Sequence, residues 1–113
     1  EGPQGISQKG TNVPLEIGMV VSNEPGYYLE DSYGIRCENL VFVKENSNDK
    51  NYLQFENLTM VPFDTNLICT NLLTDKELEW INNYHSQVNK IISPFLEGKT
   101  LDWLRKSTQA IAR

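Results

Sequence analysis

Two carboxylates, Glu24 and Glu38, flank the turn-rich centre of VVSNEPGYYLEDSYGIRCENLVFV, residues 20–43. Glu24 precedes Pro25-Gly26, and Glu38 follows Arg36-Cys37 and opens an apolar run. Asp31 lies midway between them, inside a cluster of turn formers. A hairpin symmetric about that turn sets the two side chains opposite each other on one face. Directly opposed residues have Cβ atoms about 4.5–5.5 Å apart, and opposed like charges destabilise the pair. A divalent cation would offset the repulsion, because carboxylate oxygens ligate Mg, Mn or Zn. A shared proton would do so by raising one pKa. Arg36 would do so as well, since period two puts it on the face of Glu38. Two solvated glutamates beside a turn are the plainer reading, and Pro25 is a place where a bulge would spoil the register.

Two ligands do not close a catalytic metal site. Zinc usually takes three protein ligands and an open position, and harder ions take more oxygens. The single histidine, His85, falls on a predicted helix in line with Leu78, Ile81 and Val88, where such a residue usually packs at the helix edge. Glu30 and Asp31 sit in the turn without a defined geometry. Either the site does not exist, or its other ligands belong to polypeptide outside this sequence.

The elements that must position these groups change type along the chain. Residues 1–14 are rich in Gly, Pro, Ser, Asn and Thr and read as an irregular lead-in. A short strand is expected around Met19 to Asn23, stopped by Pro25-Gly26 and extended by Tyr27 to Leu29. Ile35 to Val43 is the most strand-like segment, and a third strand is expected within Tyr52 to Phe63, after the polar turn KENSNDKN. Together these predict an antiparallel meander. After Asp64 the pattern becomes helical. Thr74-Asp75-Lys76-Glu77 fits a capping box. Leu78, Ile81, His85, Val88 and Ile92 form one apolar helix face, which most simply packs onto its own sheet. Pro94 should end that helix, and Thr100 begins a shorter one through Leu101, Trp103 and Leu104. Strands first and helices after is the order of an α+β fold.

Bulk properties exclude some classes of function. A length of 113 residues suits one modest domain, and a net charge of −5 supplies no basic stripe for nucleic acid and no attraction to an anionic membrane surface. No apolar run approaches the ~18 residues of a membrane span. Cys37 and Cys69 match no zinc spacing and read as reduced thiols of a cytoplasmic protein. The opening EGPQGIS has no initiation or targeting character, so the chain reads as processed or excised from something longer.

EPGYY and GIRCEN at this separation, followed by FENLTMVPFDTNLI, LTDKELEWINNYH and TLDWLRKSTQAI, resemble the C-terminal part of the aminopeptidase P family. These are the Xaa-Pro aminopeptidases of the pita-bread metallopeptidase superfamily, and the cytosolic eukaryotic type is the nearer match. The resemblance spans essentially the whole chain. It implies residues 1–69 as the C-terminal part of the catalytic domain and 70–113 as a helical C-terminal extension. It also implies two divalent metal ions, manganese first and zinc second, held by two aspartates, a histidine and two glutamates. Glu24 and Glu38 match the two glutamates, and Glu24 is also expected to help move protons at the bridging water. Tyr28 matches an active-site tyrosine, and Arg36 an arginine that supports the metal cluster. Glu1-Gly2-Pro3 matches the end of an HEGP motif whose histidine would precede Glu1. The aspartate and histidine ligands lie upstream in the family, so the resemblance implies an incomplete site and no activity for the chain alone. The implied substrate is a peptide with proline in second position, and the implied assembly of the parent enzyme is a cytoplasmic homodimer. Prolidase, which shares the ligand set, and a non-catalytic pita-bread peptide-binding module are the alternatives.

Overall fold

The computed structural model describes residues 3–113 and divides them into two compact units, one ending at Thr59 and the other running Met60–Arg113. The fold is α+β, with antiparallel strands followed by two C-terminal helices.

The first unit holds β1 (Val20–Asn23), β2 (Gly26–Leu29), β3 (Tyr33–Arg36), β4 (Asn39–Glu45) and β5 (Leu53–Asn57). β1, β4 and β5 form a three-stranded antiparallel sheet with β4 in the middle, and β2 pairs with β3 alone. Both ladders share one register. Val20 faces Phe42, Asn23 faces Asn39, Gly26 faces Arg36 and Leu29 faces Tyr33, so every pair is symmetric about Asp31. β1–β2 and β3–β4 are thus two arms of one long hairpin. The arms part at Pro25, which has no N–H to give the ladder. Its carbonyl still accepts the Cys37 N–H at 3.0 Å, and this bond carries the register across the break. The expected single strand from Ile35 to Val43 is therefore two strands, interrupted at Cys37 and Glu38, and Pro25 leaves the register intact.

At the tip, Asp31 takes a φ of 54° and the Ser32 N–H donates to the Leu29 carbonyl. A three-residue hairpin loop needs one left-handed residue, and aspartate tolerates that region. At the other end, β4 alternates strictly. Asn39, Val41 and Val43 are buried, and Val41 faces the buried Val21 of β1. Burying each valine is worth roughly 1.5–3 kcal/mol at most. Asn39 donates to the Asn57 side chain, which satisfies part of its buried amide. β5 is shorter than the predicted segment. Beyond Asn57 the Thr59 hydroxyl accepts the Leu40 N–H at 2.9 Å, so a side chain takes over from the ladder.

The second unit is built on α1 (Asp75–Ile92) and α2 (Gly98–Ser107). The expected capping box is present: the Thr74 hydroxyl accepts the Glu77 N–H, and the Glu77 carboxylate accepts the Thr74 N–H. α1 stops at Ile92, and Ser93–Phe95 form a 3-10 turn with Pro94 near its start. Tyr84, Val88 and Leu104 form the buried cluster, joined by Met60, Phe63, Ile92 and Leu96. Trp80 stacks on Tyr84 with ring centroids 5.4 Å apart.

His85 is fully buried, not at the helix edge. Its Nε2 accepts the Phe63 N–H at 3.0 Å, so the ring is neutral with its proton on Nδ1, which has no partner. The Tyr84 hydroxyl donates to the Val61 carbonyl at 2.8 Å. These two helix side chains tie residues 60–63 to the helical unit, which begins at Met60.

Candidate metal centre

The shared register decides where Glu24 and Glu38 lie. Hydrogen bonds join the odd-numbered positions of the long hairpin, as in Val43 N–H to Met19 and Cys37 N–H to Pro25. Glu24 and Glu38, carried across the break in the same register, form a non-hydrogen-bonded pair. In such pairs the Cα atoms approach to about 4.5 Å and the side chains are closest. The sequence expectation that the two acids oppose each other on one face therefore holds.

Arg36 sits on that face and binds both. Its Nε is 2.9 Å from a Glu38 oxygen, and its Nη1 is 3.7 Å from a Glu24 oxygen. All three side chains remain about half exposed. The other oxygen of Glu24 accepts the Ser22 hydroxyl at 2.6 Å. The pKa of Arg36 is raised above its already high ordinary value, first by a hydrogen bond with the Tyr28 side chain and then by the Glu38 charge. The guanidinium thus stays charged at any working pH.

Tyr28 faces Gly34 across the β2–β3 ladder. Its ring lies over Gly34 and its hydroxyl over Gly26, beside Arg36. The structure brings together all four sequence-predicted site residues, Glu24, Tyr28, Arg36 and Glu38. Three neighbours escaped the sequence reading. Ser22 was legible as the residue two before Glu24 on the same face. Gly26 and Gly34 gave a weaker signal, because strand glycines mark bulges as often as close approaches. On the opposite face Tyr27, Leu29, Tyr33 and Ile35 are all exposed. A cleft of about 410 Å³ opens beside Glu24, between β1 and the segment from Gln4 to Ser7. Cys37 and Cys69 are free and exposed.

Two carboxylates and one guanidinium leave this face with a net negative charge, and oxygen donors suit hard or borderline divalent cations. The residues thus fit part of a metal site. Among the described residues no group of three or more His, Cys, Asp or Glu side chains is placed to hold an ion, so the pair does not close one. The match of Glu1 and Gly2 to a longer motif lies outside the described residues. Among those residues no helix is long and apolar enough to cross a membrane.

Residues 1–45 match metallopeptidase family M24 and residues 51–111 match the C-terminal region of peptidase M24, so the chain belongs to that family. Its relatives narrow the assignment to the C-terminal part of the aminopeptidase P type. The chain is 48% identical to "Probable Xaa-Pro aminopeptidase P" of Coprinopsis cinerea, an alignment covering 98% of this chain and 19% of the relative. It is 44% identical to aminopeptidase P2 of Arabidopsis thaliana over 100% of this chain and 17% of the relative. The X-prolyl aminopeptidase of Caenorhabditis elegans, described as a cytosolic enzyme with a di-nuclear active site, superimposes with a TM-score of 0.85 at 36% identity. That match covers 98% of this chain and 19% of the worm enzyme, so the chain spans about a fifth of the length of its relatives.

Proposed function

We propose that this chain contributes two carboxylates to the dinuclear metal centre of an Xaa-Pro aminopeptidase, with peptides bearing proline in second position as substrate. The observation that carries the reading is the close pairing of Glu24 and Glu38 on one face, held by Arg36, in a chain of this family. Bound there, two divalent ions, manganese in preference to zinc, would supply the acidity that makes a water molecule nucleophilic at neutral pH.

The chain's own residues have separate tasks. Glu24 and Glu38 supply the negative charge that retains the cations, and in this reading Glu24, as the family resemblance implies, also helps to move protons at the water. The Ser22 hydroxyl occupies one oxygen of Glu24 and fixes its rotamer. Arg36 holds the carboxylates apart and oriented. The Tyr28 phenol lies on the same face and helps to raise the Arg36 pKa. With only two donors, the chain by itself binds Mn²⁺ weakly and has no peptidase activity. The parent enzyme is a cytoplasmic homodimer in this reading, as the family resemblance implies.

Calorimetric titration with Mn²⁺ tests the assignment. The expected result is weak binding that Glu24→Gln and Glu38→Gln each abolish. Stoichiometric, tight uptake of two ions by this polypeptide would overturn the incomplete-site reading. Weak binding unchanged in both variants would remove the glutamates from the site.

A further inference from the structure

We propose that Gly26 and Gly34 are positioning residues, forming a two-glycine slot that lays the Tyr28 ring flat along the hairpin and delivers its hydroxyl to the face shared by Arg36, Glu24 and Glu38. Its mechanistic meaning rests on the function proposed above, while the slot itself is testable without it.

Three observations carry the proposal. The first is the register: Gly34 is the direct cross-strand partner of Tyr28, and Gly26, paired with Arg36, lies two residues before Tyr28 on the same strand face. The second is the space each glycine leaves. A Cβ on Gly34 would lie 2.7 Å from Tyr28 Cδ1 and 3.1 Å from Cε1. A Cβ on Gly26 would lie 2.7 Å from the Tyr28 hydroxyl oxygen and 2.9 Å from Cε2 and Cζ. The ring is thus supported at its base by one glycine and at its tip by the other. The third is the backbone. The glycines with positive φ among the described residues are Gly18 and Gly98, not Gly26 or Gly34. Any residue could adopt the chain path at these two positions, so the ring, and not the backbone, requires glycine there.

An aromatic ring over a cross-strand glycine also restores packing that the glycine forfeits, which is a purely structural benefit. That benefit explains Gly34 alone. It does not explain a second glycine under the hydroxyl, since Gly26 is paired with Arg36 and not with Tyr28. A ring that only filled the space above Gly34 would be free to take another rotamer. The second glycine admits the one orientation in which the oxygen points along the face toward the acid pair.

The test is NMR of the 113-residue chain with labelled glycine α-carbons, tyrosine ζ-carbons and arginine side-chain nitrogens. Tyr28→Leu should move the α-proton resonances of both Gly26 and Gly34 downfield, as the ring current is lost, and leave Gly18 and Gly98 in place. Tyr28→Phe should keep the glycine shifts, so the hairpin is intact, yet move the Arg36 Nε resonance. Gly26→Ala should shift the Tyr28 ζ-carbon and the Arg36 Nε together, and in a Tyr28→Leu background the same change should leave Arg36 Nε unmoved. Were Gly34→Ala to unfold the arm, the Gly26 and Tyr28 variants still decide the matter. Glycine shifts that ignore Tyr28→Leu would overturn the slot. An Arg36 resonance that ignores Tyr28→Phe and Gly26→Ala would reduce it to strand packing. Loss of Mn²⁺ binding plays no part in any of these readouts, so failure of the metal assignment and failure of the slot are distinguishable.

Discussion

Acidification should destabilise the helical unit through one side chain, His85. The ring is fully buried, its Nε2 accepts the Phe63 N–H at 3.0 Å, and burial lowers its pKa from the ordinary 6.5. Protonation would convert that acceptor into a donor facing a donor and would bury a charge. The folded pKa lies below the unfolded one, so the stabilisation is fully present above pH 6.5 and is lost as pH falls toward the folded value. While the folded ring stays neutral, the unfolded chain takes up one proton that the folded chain refuses. The steepest possible fall, reached only while the folded ring stays neutral, is about 1.4 kcal/mol per pH unit, which caps the loss between pH 6.5 and pH 5.5 at roughly 1 kcal/mol. With a urea m-value of ~1 kcal/mol/M for so small a unit, the midpoint should fall with pH by no more than roughly 1 M across that window. The measurement is urea unfolding followed by tryptophan fluorescence, since Trp80 and Trp103 both lie in this unit. His85 is the only histidine, so no other side chain has its ordinary pKa in that window. His85→Gln keeps an acceptor for the Phe63 N–H and cannot titrate. That variant should be less stable at pH 7 and flat from there to pH 5.5. A flat wild-type profile, or a slope that survives in His85→Gln, would refute the reasoning.

Other perturbations have equally direct outcomes. Leu104 is 2% exposed and packs with Tyr84 and Val88, so Leu104→Ala should cost about 3 kcal/mol in urea unfolding. A loss below about 1 kcal/mol would mean that this cluster is not the core of the unit. Thr74→Ala removes the hydroxyl half of the capping box and should cost about 1 kcal/mol, with fraying visible in amide exchange at the start of α1. Backbone and then side-chain hydrogen bonds from Thr74 hold the Glu77 pKa below its ordinary 4.5. The stabilisation from that carboxylate is therefore present above pH 4.5 and is lost as pH falls through the lowered value, well below the His85 window. Circular dichroism of the wild type and Glu77→Gln below pH 4.5 should show a further acid loss of helix in the wild type that Glu77→Gln lacks, beyond the His85 loss common to both.

Much of the candidate site was legible before any coordinates. The equal distances of Glu24 and Glu38 from Asp31 predict their opposition, and period two predicts that Arg36 joins them. Both are local properties of a hairpin, in which one turn sets the register of everything on either side. The capping box, the stop at Pro94 and the order of strands before helices were legible for the same reason: each depends on residues a few positions apart. The interruption of the Ile35 to Val43 strand was not legible in that segment. Its cause is the missing N–H of Pro25 on the facing strand, and only pairing brings that defect opposite Cys37.

The amino-acid sequence by itself determined which residues of the hairpin share a face, where the hairpin turns and where the first helix begins and ends, while the second helix starts at Gly98, two residues before the expected Thr100. These are set by backbone sterics and spacing, which act along the chain. Tertiary structure alone decided three things. It sank His85 from the expected helix edge into the core, because Phe63 offers it an N–H from outside the helix. It drew residues 60–63 into the helical unit through Tyr84 and His85. It also turned Gly26 and Gly34 from unremarkable strand glycines into the floor beneath Tyr28. Each of these is a contact between residues on different elements, and its energy exists only once packing has brought the partners within reach.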